Sequence, residues 1–169
     1  MTLHIDNKDL KDLAKVESLI RMIDAQDQVY FMKVLDEMQL YQPFLLSVLL
    51  GYQFDLTPPQ HERVIKIFVL IWAYFGDRKN LRKKQIRDAD LEHRLAGNIR
   101  TLERFEKETT TKGKDAVFTD DMARVNATGL YAAIFHMVHS DKLFEKMGIR
   151  DRAYLVMGLK NIIESIEAL

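Results

Sequence analysis

The chain of 169 residues has no cysteine, only three prolines and only seven glycines. Without cysteine the protein has no disulfide bond, no thiolate metal site and no cysteine nucleophile. This composition suits a reducing compartment, and we expect the protein in the cytoplasm. Proline and glycine are scarce, and the alternation of β-branched residues that is typical of strands is missing. Together these features predict an all-α fold.

An excess of charge of one sign is also missing, because 25 basic residues balance 25 acidic ones. A net charge of zero gives no reason to expect a polyanionic partner. No apolar segment reaches the ~20 residues that a membrane-spanning helix needs, and we expect neither membrane association nor a signal peptide. The composition is 47% hydrophobic and 30% charged, which is typical of a globular protein, so we treat residues 1–169 as one domain.

The most informative feature that is present is a pair of strongly apolar segments joined by a short connector. Residues 43–54 read PFLLSVLLGYQF and residues 64–75 read VIKIFVLIWAYF. A helix that is apolar nearly all round must be buried on most sides. Before the second segment, Thr57-Pro58-Pro59-Gln60 has the pattern of a capped helix start. The sequence therefore predicts a buried central hairpin of two helices, over about 43–54 and 58–75.

Further helical patterns flank this hairpin on both sides. A long charged helix is predicted from about residue 78 to residue 108, and a last helix follows Gly148. Between them, residues 109–115 read TTTKGKD, which is the composition of a loop, and we predict a mobile loop over 109–118. The chain as a whole is predicted to form a single-domain bundle of about six to seven helices around the hairpin.

Histidine spacing offers one candidate metal site. His136 and His139 stand three residues apart on a predicted helix, so both side chains can lie on one face. Asp90 and His93 repeat this spacing on the long charged helix. If the two faces met, these residues could bind a divalent transition metal. Such pairs are common by chance, and no Glu-x-x-His or His-Glu-x-x-His motif supports the site, so we predict no cofactor and keep the metal as an alternative.

A run of basic side chains forms the strongest local charge feature, and its members are Arg78, Lys79, Arg82, Lys83, Lys84 and Arg87. At the start of a helix the macrodipole disfavours cations, so such a run favours a binding surface for an acidic protein or for nucleic-acid phosphates. No aromatic residue interleaves with the run, and acidic residues flank it. We therefore rank a solvated helix face first, a protein partner second and nucleic acid last.

The last helix carries apolar residues at alternating spacings of four and three, namely Leu155, Leu159, Ile162, Ile166 and Leu169. This spacing is typical of a coiled-coil seam and predicts self-association, with a homodimer as the simplest form. No nucleophile elbow or phosphate-binding loop occurs in the sequence. We predict a non-catalytic helical protein-interaction or assembly module. The alternatives are a metal-binding helical protein or metal-dependent enzyme, and a nucleic-acid-binding regulatory module.

Overall fold

The computed structural model describes the backbone of residues 7–76 and 78–169, and the side chains of all of these except residues 7, 8 and 79. This part of the chain contains α-helices and short 3-10 turns but no strand, which confirms the predicted all-α class. None of its helices is long and apolar enough to cross a bilayer. The α-helices are α1 (Asn7–Asp24), α2 (Gln28–Tyr41), α3 (Pro43–Gly51), α4 (Pro58–Phe75), α5 (Asp88–Lys107), α6 (Thr111–Met122), α7 (Thr128–Ser140) and α8 (Ile149–Glu167).

Helix α4 lies deep in the core, as its composition predicts. It packs against α1, α2, α3 and α7, and Val64, Ile67 and Val69 have no exposed surface. Gln60 helps to start the helix, because its Oε1 accepts a hydrogen bond from the backbone N–H of Thr57 at 3.0 Å. The glutamine half of the predicted capping box is therefore present.

Helix α3 is less buried than the sequence predicts. Leu45 and Leu49 face the core, but Leu50 is 45% exposed. Phe54, in the 3-10 turn that follows the helix, is 83% exposed. The hairpin therefore consists of one helix that is buried on most sides and one that buries a single face.

The described chain has eight α-helices, whereas the sequence predicts six or seven. The predicted loop over 109–118 is wrong, because helix α6 begins at Thr111. Thr110 caps this helix: its Oγ1 accepts a hydrogen bond from the backbone N–H of Gly113 at 3.0 Å. Thr110 and Thr111, whose segment has the composition of a loop, thus lie at the start of a helix.

The long charged helix is shorter than the sequence predicts and begins only at Asp88. A fully buried side chain, Gln42, holds the irregular connection before it. Gln42 Nε2 donates to the backbone carbonyls of Leu81 and Lys84, both at 2.6 Å. Its Oε1 accepts from the backbone N–H of Ile86 at 3.0 Å. One glutamine thus satisfies three backbone groups that a continued helix would have paired internally.

Replacing Leu49 or Phe68 with alanine is expected to lower the free energy of unfolding by about 2–5 kcal/mol, because each change leaves a cavity in the core. Leu49 is 0% exposed and Phe68 is 2% exposed. Urea unfolding measures the loss. The control is Phe54→Ala, at an exposed aromatic position, where we expect a change within about 0.5 kcal/mol. Losses below about 1 kcal/mol at both buried positions would contradict the central place of the hairpin.

Candidate functional site

A buried cationic side chain lies where helices α5, α6, α7 and α8 meet. Lys160 of α8 has no exposed surface, and its Nζ donates to Asn98 Oδ1 and to Glu164 Oε1, both at 2.7 Å. The same Nζ forms an ion pair with Asp121 Oδ1 at 3.0 Å. Tyr131 completes the arrangement, because its hydroxyl donates to Asp121 Oδ2 at 3.1 Å. We call these five residues the Lys160 cluster.

Two carboxylates face one ammonium group in this cluster, and neutral donors supply the other hydrogen bonds. Asn98 Nδ2 donates to Glu164 Oε2 at 2.8 Å, so both oxygens of Glu164 are bound. Taking each ion out of water costs several kcal/mol, and only close pairing with further hydrogen bonds offsets that cost. The cluster therefore fixes the relative positions of the helices that contribute to it.

The hydroxyl of Tyr131 remains a proton donor in this environment. Burial raises the pKa of Tyr131, and the negative charge of Asp121 and the hydrogen bond to it raise that pKa further. The ordinary tyrosine pKa is near 10, so the raised value keeps the phenol protonated throughout the physiological range. Tyr131 thus holds the oxygen of Asp121 that does not pair with Lys160.

The sequence motifs do not predict this cluster, although α8 contains a signal for it. Val156, Leu159 and Ile163 are buried, and each lies within four positions of Lys160 along the helix. A lysine therefore occupies the apolar face of the helix. A lysine in such a place is almost never fully buried unless it is paired. The partners could not be identified from the sequence, because most of them lie on other helices.

An apolar pocket of about 200 Å³ borders the Lys160 cluster. Asp121 and Tyr131 of the cluster lie in its wall. Phe118 of α6 and Phe135 of α7 meet edge to face in the same wall, with 5.4 Å between ring centroids. Ile149, which is 77% exposed, also lines the pocket. Further apolar walls come from Leu102, Phe105, Val117, Ala153, Val156 and Met157.

A second, polar cavity of about 450 Å³ also borders the cluster. Asn98 and Glu164 of the cluster line it together with three arginines, Arg94, Arg100 and Arg124. We call this cavity the arginine groove. None of the three guanidinium groups forms an ion pair with a carboxylate in the described part of the chain. No sequence motif predicts this groove, because its arginines come from two distant segments.

The structure does not bring together the four candidate metal ligands, which are His136, His139, His93 and Asp90. His139 lines the apolar pocket and stacks on Phe135 with 4.1 Å between ring centroids. His93 lines the arginine groove instead, and His136 is exposed. Among the described residues, no group of three or more histidine, aspartate and glutamate side chains is placed to hold a metal ion. These four residues therefore form no common centre.

The basic run does not form one helix face, because the chain there is a 3-10 turn and an irregular connection. Arg82 forms an ion pair with Glu37 at 3.4 Å, and Lys84 Nζ donates to the carbonyl oxygen of Leu169 at 3.0 Å. Arg78 lies over a neighbouring phenylalanine ring. Three of the six basic side chains in the run thus contact other groups of the same chain. Of the other members, Lys83 and Arg87 are exposed, and the side chain of Lys79 lies outside the described residues.

The apolar seam of α8 faces the interior of its own chain. Leu155, Leu159, Ile162 and Ile166 are each at most 4% exposed, and Leu169, beyond the end of the helix, is partly exposed. Helix α8 packs against α5 and α7. The seam residues within the helix thus pack in the core of their own chain and present almost no surface to a second chain, and self-association through the seam stays a prediction.

No protein-family model, curated protein or solved structure matches this chain. Function is therefore inferred from the geometry of the Lys160 cluster and of the two cavities that it borders.

Replacing Lys160 with methionine is expected to lower the free energy of unfolding by about 3–5 kcal/mol, because Asp121 and Glu164 lose their buried counter-ion. Chemical denaturation measures this loss. The control is Lys146→Met at an exposed lysine, where we expect a change within about 0.5 kcal/mol. Equal stability of the two variants would show that Lys160 does not carry a buried charge pair.

Replacing Tyr131 with phenylalanine is expected to change how stability depends on alkaline pH. Folding raises the pKa of Tyr131 above its unfolded value near 10, so this stabilisation is fully present below about pH 10 and is lost as the pH rises above it. The variant should therefore lose less stability than the wild type between about pH 9 and 11. The melting temperature at each pH measures the difference, with Tyr154→Phe at an exposed position as the control. Parallel profiles for wild type and Tyr131→Phe would contradict the expectation.

Proposed function

We propose that this protein is a non-catalytic helical interaction module whose apolar pocket receives an apolar side chain of a protein partner. The observation that carries the proposal is the pocket itself, a cavity of about 200 Å³ with almost wholly apolar walls. Such a cavity favours an apolar group, because filling it removes apolar surface from water. The lack of cysteine is compatible with a cytoplasmic location for the module.

The size of the pocket favours one side chain over a whole small molecule. Small-molecule sites usually enclose roughly 300–1,000 Å³, whereas a cavity of about 150 Å³ already holds one benzene ring. Burying one aromatic side chain contributes only about 1.5–3 kcal/mol, which is weaker than millimolar affinity. A specific complex therefore needs further contacts around the pocket, and a protein partner supplies them.

The surroundings of the pocket also suit a protein interface. The exposed side chain of Ile149 extends the apolar surface beyond the cavity. Charged groups lie close by: Arg150 forms an ion pair with Glu106 at 3.5 Å, and Lys114 Nζ lies 5.6 Å from the centroid of the Phe105 ring. An apolar centre with a polar rim is the usual anatomy of a protein interface.

A second copy of the chain is one partner for which the structure offers a specific side chain. Phe54 is 83% exposed and has a ring of the size that the pocket accommodates. Such a contact would join two different surfaces and would build chains or rings of molecules, not a closed dimer. Sedimentation of wild type and Phe54→Asp tests this form of the proposal. A monomer at all concentrations would leave another protein as the partner.

The pocket can be tested with N-acetyl-phenylalaninamide, which carries the expected side chain on a peptide-like backbone. In protein with ¹³C-labelled methionine methyl groups, we expect this probe to shift the resonance of Met157, with a dissociation constant on the order of tens of millimolar. Ala153→Leu, which fills the pocket from α8, should abolish the shift. The matched control is Ala96→Leu on the exposed face of α5, which should retain it. An unchanged Met157 resonance in wild type, or an equal shift in Ala153→Leu, would refute the proposal.

A further inference from the structure

The arginine groove holds guanidinium groups for which the fold provides little pairing. Arg94 is partly exposed, and its buried Nε has no hydrogen-bond partner. Arg100 folds back along α5, so that its Nη2 lies 3.8 Å from the position that a Cβ of Gly97 would occupy. Arg124, from the chain after α6, donates from Nη1 to Thr101 Oγ1 at 3.4 Å. A buried donor without a partner is costly, and a ligand that accepts hydrogen bonds would remove that cost.

The three arginines line one cavity beside α5. Residues 94, 97 and 101 are spaced by three and four positions, so they follow one another along the same side of the helix. The guanidinium of Arg100 lies at position 97 and that of Arg124 lies at position 101. Successive turns are about 5.4 Å apart, so the two groups are close enough to bind one ligand together.

The acidic residues of the groove bind the protein and not the arginines. Glu164 directs one oxygen to Lys160 and the other to Asn98. Glu167 accepts from the backbone N–H of Ala127 at 2.7 Å through Oε1 and from the backbone N–H of Asn126 at 3.1 Å through Oε2. All four carboxylate oxygens are therefore occupied. Apart from Arg124 Nη1, which donates to Thr101, the guanidinium donors of the groove remain open to an anion from solution.

We propose that the arginine groove binds a small phosphorylated polyol, such as a sugar phosphate, through its phosphate group. Guanidinium groups match phosphate oxygens with paired hydrogen bonds, and three of them suit a dianion better than a single carboxylate. A volume of about 450 Å³ lies in the range of small-molecule sites and leaves room beyond the phosphate. No phenylalanine, tyrosine or tryptophan among the described residues lines the groove, so a nucleobase would find no aromatic side chain of these types to stack on.

The polar walls of the groove suit the hydroxyl groups of such a ligand. His93 and Asn126 lie beside the arginines and present an imidazole and an amide group. Hydroxyls both donate and accept hydrogen bonds, so they can satisfy groups of either kind. The inference does not depend on the apolar pocket, which has different walls apart from the shared Lys160 cluster.

Isothermal titration calorimetry at low ionic strength tests the inference, with ribose 5-phosphate as the probe. We expect ribose 5-phosphate to bind, ribose to show no binding, and added salt to weaken the affinity. Arg100→Gln and Arg124→Gln should each weaken binding by about tenfold or more, because each removes a charge-assisted hydrogen bond. Both arginines are exposed, so neither change threatens the fold. The control is Arg104→Gln on the same helix, whose partner is Asp120 at 3.5 Å, and it should bind as the wild type does.

Several results would overturn the inference. No binding at about 10 mM ribose 5-phosphate, or equal binding by wild type and both groove variants, would exclude a phosphate site here. Equal affinity for inorganic phosphate would reduce the groove to a simple anion site and would refute the polyol. Tighter binding of a single-stranded oligonucleotide would show a nucleic-acid surface instead. Ala153→Leu should bind ribose 5-phosphate normally, so this test and that of the apolar pocket can fail separately.

Discussion

One ammonium group, buried between four helices, is the constraint on which the second half of this fold depends. Lys160 Nζ lies within 3.0 Å of oxygens from Asn98, Asp121 and Glu164, and Tyr131 holds Asp121 from the other side. A buried charge is tolerated only where its partners are in place. Helices α5, α6, α7 and α8 each contribute a group to this network, so separating α5 or α6 from α8 would leave a buried charge or polar group without its partner.

Both candidate binding sites share walls with this cluster. Asn98 and Glu164 line the arginine groove, and Asp121 and Tyr131 line the apolar pocket. A residue network with fixed geometry gives each cavity one rigid wall, which is the usual requirement for a preformed site. The two sites differ in chemistry, because the pocket has apolar walls and the groove offers cationic donors. The same buried cluster thus lies between the pocket that we propose for a protein partner and the groove that we propose for an anion.

The sequence predicts this fold well where burial alone decides the structure. Helix α4 is apolar nearly all round, and it lies in the core as expected. Prediction fails where one polar side chain decides the local structure. Thr110 caps a helix in a segment with loop composition, and Gln42 holds an irregular connection where a helix is predicted. The partners of Gln42 lie about forty residues away in the sequence, so no local pattern shows them. Thr110 bonds only three residues ahead, but a single cap is a weaker signal than the loop composition around it.

The candidate sites were harder to predict because their residues are distant in sequence. The seam of α8 has the spacing of a coiled coil, yet that spacing is the same for a partner helix within the chain and for one in a second chain. Lys160 stands out among the apolar residues of α8, but Asn98 does not stand out on α5 and Asp121 does not stand out on α6.

The most direct measurement of the central claim is the ¹⁵N nuclear magnetic resonance spectrum of the lysine ammonium groups. We predict that the Lys160 ammonium protons exchange slowly with water and show through-space contacts to the Tyr131 ring, whose centroid lies 5.9 Å from Nζ. Exchange as fast as that of the exposed lysines, without such contacts, would contradict a buried Lys160 cluster.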